Sequence, residues 1–376
     1  MAMGAIDAGT LPDGVASSLR KKTMDSFILH ALRNVTIFVG LLLGGAQASR
    51  AESLPALGAD ISKTSVSGLS SGAFMAVQFQ VAYSKTVSGA GVIAGGPFGC
   101  AYTPGTEHNP NYALVLIENA ARALTQCMQD NGVPAASELV DRAASLAKAD
   151  KIDPLEGLAA DRVYLFWGGR DTTVTRPVMN AANEFFIKAG VPAANIIFEE
   201  NKKAAHAFVT EDSGLPCGAP GAPYVNDCDY DQARAVLTQI RGPLKPAGKV
   251  VDANYVTFNQ ESFTKGFYEP GFSHEGVAYI PSDCREHPGC SVHVVFHGCE
   301  QGRKLVGDDV VKGAGYAKWA EGNRLIVLFP QVEPGPLNPK GCWDWWGYTG
   351  PRFLEREAPQ MLAVRRMLER LGSPAS

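Results

Sequence analysis

The sequence has eight cysteines but no Cys-x-x-Cys pair and no cysteine–histidine spacing suited to zinc. That argues against a structural metal site and in favour of disulfides. It lacks a basic surplus: the net charge is −4, which leaves no electrostatic footprint for nucleic acid. Nothing in it suggests a membrane-surface binder, and it holds no internal repeat and no low-complexity tract. The apolar run Val35 to Leu43 falls short of the roughly 20 residues that a bilayer-spanning helix needs. Histidine is scarce, with seven in 376 residues, so few side chains can serve as a general base.

That short apolar run has another reading. Arg20-Lys21-Lys22 and Arg33 precede it, and the small residues Gly44 to Ala48 and Ser49-Arg50-Ala51 follow. Basic, then apolar, then small residues at A-x-A-like spacing form a secretory signal. Cleavage after Ala48 or after Ala51 fits equally well, and Met24 is an alternative start. Residues 1–51 are therefore set aside as a leader, and 52–376 are expected to form one catalytic domain with ample length for a large core. All eight cysteines lie beyond the leader, as expected for export to the periplasm or the medium.

The chain is organised around Gly68-Leu69-Ser70-Ser71-Gly72. The β-branched and small residues from Ile61 to Ser67 read as a strand. Phe74, Val77, Gln78 and Val81 recur at helical spacing. A G-x-S-x-G run between a strand and a helix describes a nucleophile elbow, which pushes a serine hydroxyl clear of the sheet. The frame selects Ser70 as nucleophile and gives the Ser71 N–H to the developing oxyanion. Taken alone, the same five residues would also make an ordinary Gly/Ser turn.

Further strands are expected at Gly89–Gly96, Arg162–Trp167, Ile196–Glu199, Val277–Pro281, Ser291–Phe296 and Leu325–Phe329. Helices are expected at Tyr112–Asp130, Ala136–Lys148, Pro177–Ala189, Tyr230–Arg241, Gly315–Glu321 and Ala358–Leu371. This alternation indicates an α/β fold, a mostly parallel sheet with helices on both faces.

A serine nucleophile needs a histidine base and a carboxylate, in the order Ser, Asp, His along an α/β-hydrolase chain. Asp171 follows a strand and a Gly-Gly turn, at the strand end where functional residues gather. Asp161 precedes its strand and so lies at the wrong end. His30 falls in the leader. His108, His274 and His287 have no preceding strand, and His293 and His297 belong to another one. His206, in a loop after a strand, remains as the base.

A strand ending in His-Gly ordinarily precedes the nucleophile in such a fold, yet here Val292 to Cys299 comes far after Ser70. The last helix would ordinarily lead into the nucleophile strand. The chain thus reads as a circularly permuted, single-domain α/β-hydrolase. The Pro/Gly stretch 242–248 approaches the junction of the original termini and is not a domain boundary.

Gly68-Leu-Ser-Ser-Gly72, His206-Ala-Phe208, Asn226-Asp-Cys-Asp-Tyr-Asp231, Phe296-His-Gly-Cys299 and Cys342-Trp-Asp-Trp-Trp346 together resemble the poly(3-hydroxybutyrate) depolymerase family, in its circularly permuted branch. The resemblance covers most of residues 58–371. It implies a nucleophile at Ser70, an acid at Asp171, a base at His206 and oxyanion N–H groups from Ser71 and Cys299. It also implies tryptophan in the substrate crevice, which makes Trp343, Trp345 and Trp346 candidates. Three indoles within four residues cannot all point one way, so at least one should be structural. No metal or cofactor is implied. The expected partner is a polyester or oligoester acted on by a monomer, with no nucleic acid and no stable membrane insertion after signal cleavage. Unlike many extracellular members, the sequence has no Thr-rich or fibronectin-like linker and no C-terminal substrate-binding domain. Feruloyl and acetylxylan esterases share the Gly-Cys and Cys-Trp signatures, so a secreted carboxylesterase for soluble or cell-wall esters is the alternative. In this fold the loops of Cys299 and Cys342 should meet and bond. Cys284–Cys290 and Cys217–Cys228 are plausible local closures, leaving Cys100–Cys127, although sequence alone permits many connectivities.

Overall fold

Residues Asp60–Leu69 form strand β1, whose side chains alternate between two cores. Val66 packs with Met75 and Phe79 on one face, and Leu69 with Ile93 on the other. Period-two alternation with apolar groups on both sides is the mark of a strand covered on both faces. The computed structural model describes residues 52–106 and 109–375. The expected leader, residues 1–51, and the loop histidine His108 lie outside the described residues.

From β1 the chain runs directly into α1 (Ser71–Ala82), then β2 (Val87–Ile93), α2 (Tyr112–Thr125), α3 (Ala136–Lys148), β3 (Arg162–Gly168), α4 (Arg176–Lys188) and β4 (Ile196–Asn201). The pairs β1–β2, β2–β3 and β3–β4 are all parallel. Every residue of α1 is buried, which explains its small and apolar composition. Helix α2 stops short of the expected Asp130 because Cys127 turns inward to bond Cys100.

A second, small parallel sheet follows, from β5 (Phe208–Thr210), β6 (Leu215–Pro216) and β7 (Val225–Asp227) in the order β5-β7-β6. These strands are too short for periodicity to reveal them. The Cys217–Cys228 disulfide ties the sheet together. Then come α5 (Gln232–Arg241), β8 (Tyr255–Asn259), β9 (Glu275–Tyr279), α6 (Ser282–Glu286), β10 (Ser291–Phe296), α7 (Arg303–Val306), α8 (Asp309–Gly313), α9 (Tyr316–Gly322), β11 (Leu325–Phe329) and α10 (Pro359–Gly372). Cys284–Cys290 closes the α6 loop. The stretch 242–248 is bound to its neighbours: Gly248 N donates to Lys318 O at 2.8 Å, and Lys245 N to Asn323 Oδ1 at 2.7 Å.

The main sheet has eight strands in the order β4-β3-β2-β1-β10-β11-β9-β8. All neighbours from β4 to β11 are parallel, and β9 runs antiparallel to β11 and β8. Helices α1, α3, α4 and α10 supply one core, and α5, α8 and α9 the other. The C-terminal strands thus fill one half of the sheet and the N-terminal strands the other. Residues 57–59 meet the end of α10. Leu57 N and Ala59 N donate to Leu371 O at 3.1 and 3.0 Å, and Gly58 N to Ser373 O at 2.7 Å. So the last helix finishes against the entry to β1. Among the described residues no helix is long and apolar enough to cross a membrane.

Candidate active site

One residue, Ser70, joins β1 to α1. Its φ of 57° and ψ of −123° lie where an L-residue is strained by roughly 1–3 kcal/mol. Ser70 N donates to Ile93 O at 3.0 Å, and Ser70 O accepts from Ala73 N and Phe74 N at 2.9 and 3.0 Å. The flanking glycines are forced by close approach. A Cβ at Gly68 would lie 2.3 Å from Gly72 O, and one at Gly72 only 2.2 Å from Phe296 O. The start of α1 rests directly on the backbone at the end of β10, and only glycine leaves that space free.

Asp171 stands just past the end of β3, buried, in a turn where its N–H donates to Gly168 O at 2.9 Å. Its Oδ1 accepts from Thr173 N and Val174 N at 2.7 and 3.0 Å. Oδ2 is left to accept from His206 Nδ1 at 2.7 Å. That hydrogen bond places the proton on Nδ1 and leaves Nε2 as the basic nitrogen. His206 sits in the loop between β4 and β5, braced by Ala205 N donating to Cys217 O at 3.0 Å and by Tyr224, which meets the imidazole edge-on at 6.3 Å.

Ser70 and His206 open together onto a cavity of about 410 Å³, which Cys299 also lines. Ser71 is the first residue of α1, so its N–H has no intrahelical acceptor. The Cys299 loop is fixed from both sides. Gly298 N donates to Gln301 Oε1 at 2.6 Å, and Gln301 Nε2 donates to Pro223 O and Tyr224 O at 2.8 and 3.1 Å. Glu300 N donates to Lys340 O at 2.7 Å. The Cys299 N–H has no acceptor among the described residues. Sequence reasoning passed over Gln301, whose only signal was its place two residues after Cys299.

Two other histidines near this centre are taken. His297 is buried, and its Nε2 accepts from Val332 N at 3.2 Å, so Nδ1 donates to Gly298 O at 2.7 Å. Burial lowers its pKa to about 4. His293 links Ser65 Oγ and Ser67 Oγ, each at 2.8 Å, and stacks on Tyr316; burial lowers its pKa to about 3. Both are neutral fastenings between β10 and its neighbours.

The Cys299–Cys342 disulfide joins this loop to the tryptophan segment. All four pairings anticipated for the eight cysteines are present. Asp344 is the hub of the segment. Its Oδ1 accepts from Gly347 N and Tyr348 N at 2.6 and 3.0 Å, and Oδ2 from Thr349 N and Oγ1 at 2.9 and 2.6 Å. Burial raises its pKa, while these four donors act in the opposite direction. The segment is also clamped from outside: Gln78 of α1 donates to Asp344 O at 2.9 Å, and Asp344 N donates to Gln360 at 2.8 Å.

The three tryptophans divide. Trp345 and Trp346 line the cavity. Trp343, expected as a crevice candidate, does not: it is 0 % exposed, wedged in the core against Phe272, Phe296 and His297. The chain bends at residues 344–347, so Trp343 is not carried to the wall that Trp345 and Trp346 build. Ala123, Leu124 and Met128 on and beyond α2 complete the apolar wall, and Tyr224, Glu300 and Lys340 form a polar one. The helical pattern of α2 was legible, but its place beside Ser70 was not.

Fold and site together define an α/β-hydrolase fold with Ser70 at the strained turn between β1 and α1. No family model matches the chain. It is 38% identical over 338 residues to a poly(3-hydroxybutyrate) depolymerase of Delftia acidovorans, covering 88% of this chain and 64% of that protein. It thus spans slightly under two thirds of the length of that relative. It is 33% identical over 352 residues to a polyhydroxybutyrate depolymerase of Talaromyces funiculosus, covering 88% of this chain and 95% of that one. The crystal structure of PHB depolymerase from Penicillium funiculosum superposes with a TM-score of 0.74 at 30% identity, covering 86% of this chain and all of that one. A serine-to-alanine PHB depolymerase complexed with an R3HB trimer matches equally well, with a TM-score of 0.74. The chain belongs to the poly(3-hydroxybutyrate) depolymerase family.

Proposed function

We propose that residues 52–376 form a secreted serine esterase that hydrolyses poly(3-hydroxybutyrate), or oligoesters of short-chain 3-hydroxyacids. The observation that carries this reading is the apolar crevice onto which Ser70 and His206 both open, with His206 held to Asp171 at 2.7 Å. The relatives named as depolymerases, and the trimer bound by one of them, support the choice of substrate.

His206 Nε2 takes the Ser70 proton as the hydroxyl oxygen attacks the ester carbonyl. Asp171 holds the imidazole through Nδ1–H and stabilises the imidazolium that forms. The Ser71 and Cys299 N–H groups receive the oxyanion. The C–O bond to the alcohol portion breaks, and His206 returns the proton to that leaving oxygen. Water, deprotonated by the same imidazole, then attacks the acyl-serine, releasing the hydroxyacid and restoring the Ser70 hydroxyl. The sum is ester plus water giving acid plus alcohol.

Four disulfides support a site of action in an oxidising compartment, reached after removal of residues 1–51 as a signal. In this reading the enzyme is a monomer with no nucleic-acid partner. The test compares hydrolysis of hydroxybutyrate oligomers and film with that of feruloyl and acetylxylan substrates. The reading requires higher kcat/KM on the hydroxybutyrate substrates; preference for feruloyl or acetyl esters overturns it.

A further inference from the structure

Glu300 has φ of 61° and Tyr224 has φ of 55°, both in the left-handed region that side chains other than glycine seldom adopt. Both line the cavity, and the Tyr224 hydroxyl donates to Glu300 Oε2 at 2.9 Å. Two strained residues facing one cavity and holding each other are a reason to look for function there. Glu300 Oε1 takes the second partner, Lys340 Nζ, at 3.3 Å. The backbone beneath is fixed as well, since Glu300 N donates to Lys340 O and the preceding residue is disulfide-bonded. The Tyr224 hydroxyl, more than any other neighbour, holds the Glu300 carboxyl below the usual range, with Lys340 helping.

Among the described residues that line the cavity, Glu300 is the only Asp or Glu, and Lys340 the only Lys or Arg. The one cation is already committed to the one anion. A carboxylate brought to this wall must either draw Lys340 away from Glu300 or lie against Glu300 uncompensated, and both are unfavourable in a partly desolvated cleft. An uncharged ester repeat meets neither cost.

We infer that Glu300, fixed by Tyr224 and neutralised by Lys340, is a specificity-determining residue that disfavours carboxylate-bearing chain ends beside the Cys299 loop and favours uncharged repeats. This rests on the oligoester reading above and adds which part of the chain the crevice accepts.

The test uses the hydroxybutyrate trimer as its free acid and as its C-terminal primary amide, with products separated by chromatography at pH near 7.5. The readout is the ratio of kcat/KM, amide over acid, so that any change common to both substrates cancels. The ratio should be at least about threefold in the wild type, the order expected of one partly screened charge contact. Glu300→Gln should bring it close to one. Lys340→Gln, at an exposed side chain, should widen it by leaving Glu300 uncompensated. Raised salt should narrow the wild-type ratio. A wild-type ratio near one, or a ratio unmoved by both variants, overturns the inference while leaving the esterase reading intact. Failure of the wild type to cleave either trimer is a failure of that reading instead.

Discussion

The indole of Trp345 lies flat on the ring of Phe74, with centroids 4.0 Å apart and planes 9° from parallel. Phe74 is in the first turn of α1, the helix that begins at the nucleophile elbow. Trp345, one part of the apolar wall, therefore leans on the helix that follows Ser70, and displacing it should disturb both the wall and the elbow. Trp346 is free of that constraint: it is half-buried, meets Trp345 edge-on at 5.9 Å and leans on Tyr348.

The three indoles should thus separate by measurement. Trp346→Ala should cut hydroxybutyrate-oligomer turnover about tenfold, the equivalent of roughly 1.4 kcal/mol. Activity on p-nitrophenyl butyrate and the melting temperature should change little. Trp343→Ala removes a fully buried side chain and should cost roughly 3–5 kcal/mol of stability. Parallel loss of both activities in Trp346→Ala, at unchanged stability, would remove the substrate-side role assigned to that ring.

Ser70→Ala should abolish ester hydrolysis while leaving the circular-dichroism melt near that of the wild type. His206→Ala should be nearly as severe. Groups that act as a unit are not additive, so the double variant should lose little more activity than either single one. Full activity in Ser70→Ala with loss in Ser71→Ala would falsify the frame chosen for the elbow.

What could be read in advance depended on the range of the interaction. The strand–turn–helix around Ser70 is local, and the glycines that permit it are adjacent to it in the chain. That Asp171 and His206 would come together was legible because strand order restricts where each can stand. Trp343 illustrates the opposite case. Its direction is set by the Cys299–Cys342 disulfide and by the clamps on Asp344 from Gln78 and Gln360, all distant in sequence. The small sheet was missed because strands of two or three residues carry little periodic signal; β8 was missed although Val256 and Phe258 alternate inward in it. Gln301 was missed because its partners, Gly298, Pro223 and Tyr224, come together only in the folded chain.

Gly72→Ala should be destabilising out of proportion to one methyl group. The added carbon would sit 2.2 Å from Phe296 O and 2.4 Å from His297 O, both backbone atoms that cannot swing aside. Relief requires moving α1 away from β10, which carries the Ser71 and Cys299 amides apart. Overpacking of a tight core typically costs about 1–3 kcal/mol. Denaturant unfolding should register that loss, and kcat should fall with it. An equally stable and equally active Gly72→Ala would show that the elbow has more room than its distances allow.

Asp161 is a buried carboxyl group at the opposite end of β3 from Asp171. Asp161 precedes β3, is 3 % exposed, and accepts one side-chain hydrogen bond, from Gln80 Nε2 at 2.8 Å. Burial raises its pKa to about 7, against the smaller lowering effect of Gln80. The carbonyl oxygen of the same Gln80 has no hydrogen-bond partner among the described residues, and a neutral acid brings a donor that an ionised one lacks. The folded-state pKa therefore lies above the unfolded value of 3.8, and the folded chain binds this proton more tightly. The stabilising contribution is complete below the unfolded value, declines as pH rises from there through about 7, and is gone above it. Asp161→Asn keeps the shape and the acceptor while removing the titration. Stability of the wild type relative to this variant should therefore fall between pH 5 and pH 8, by an amount on the order of a few kcal/mol. Urea midpoints for both proteins across that range provide the measurement. Parallel pH profiles for the two would mean that Asp161 is already ionised in the folded protein and that its burial is compensated by something other than a proton.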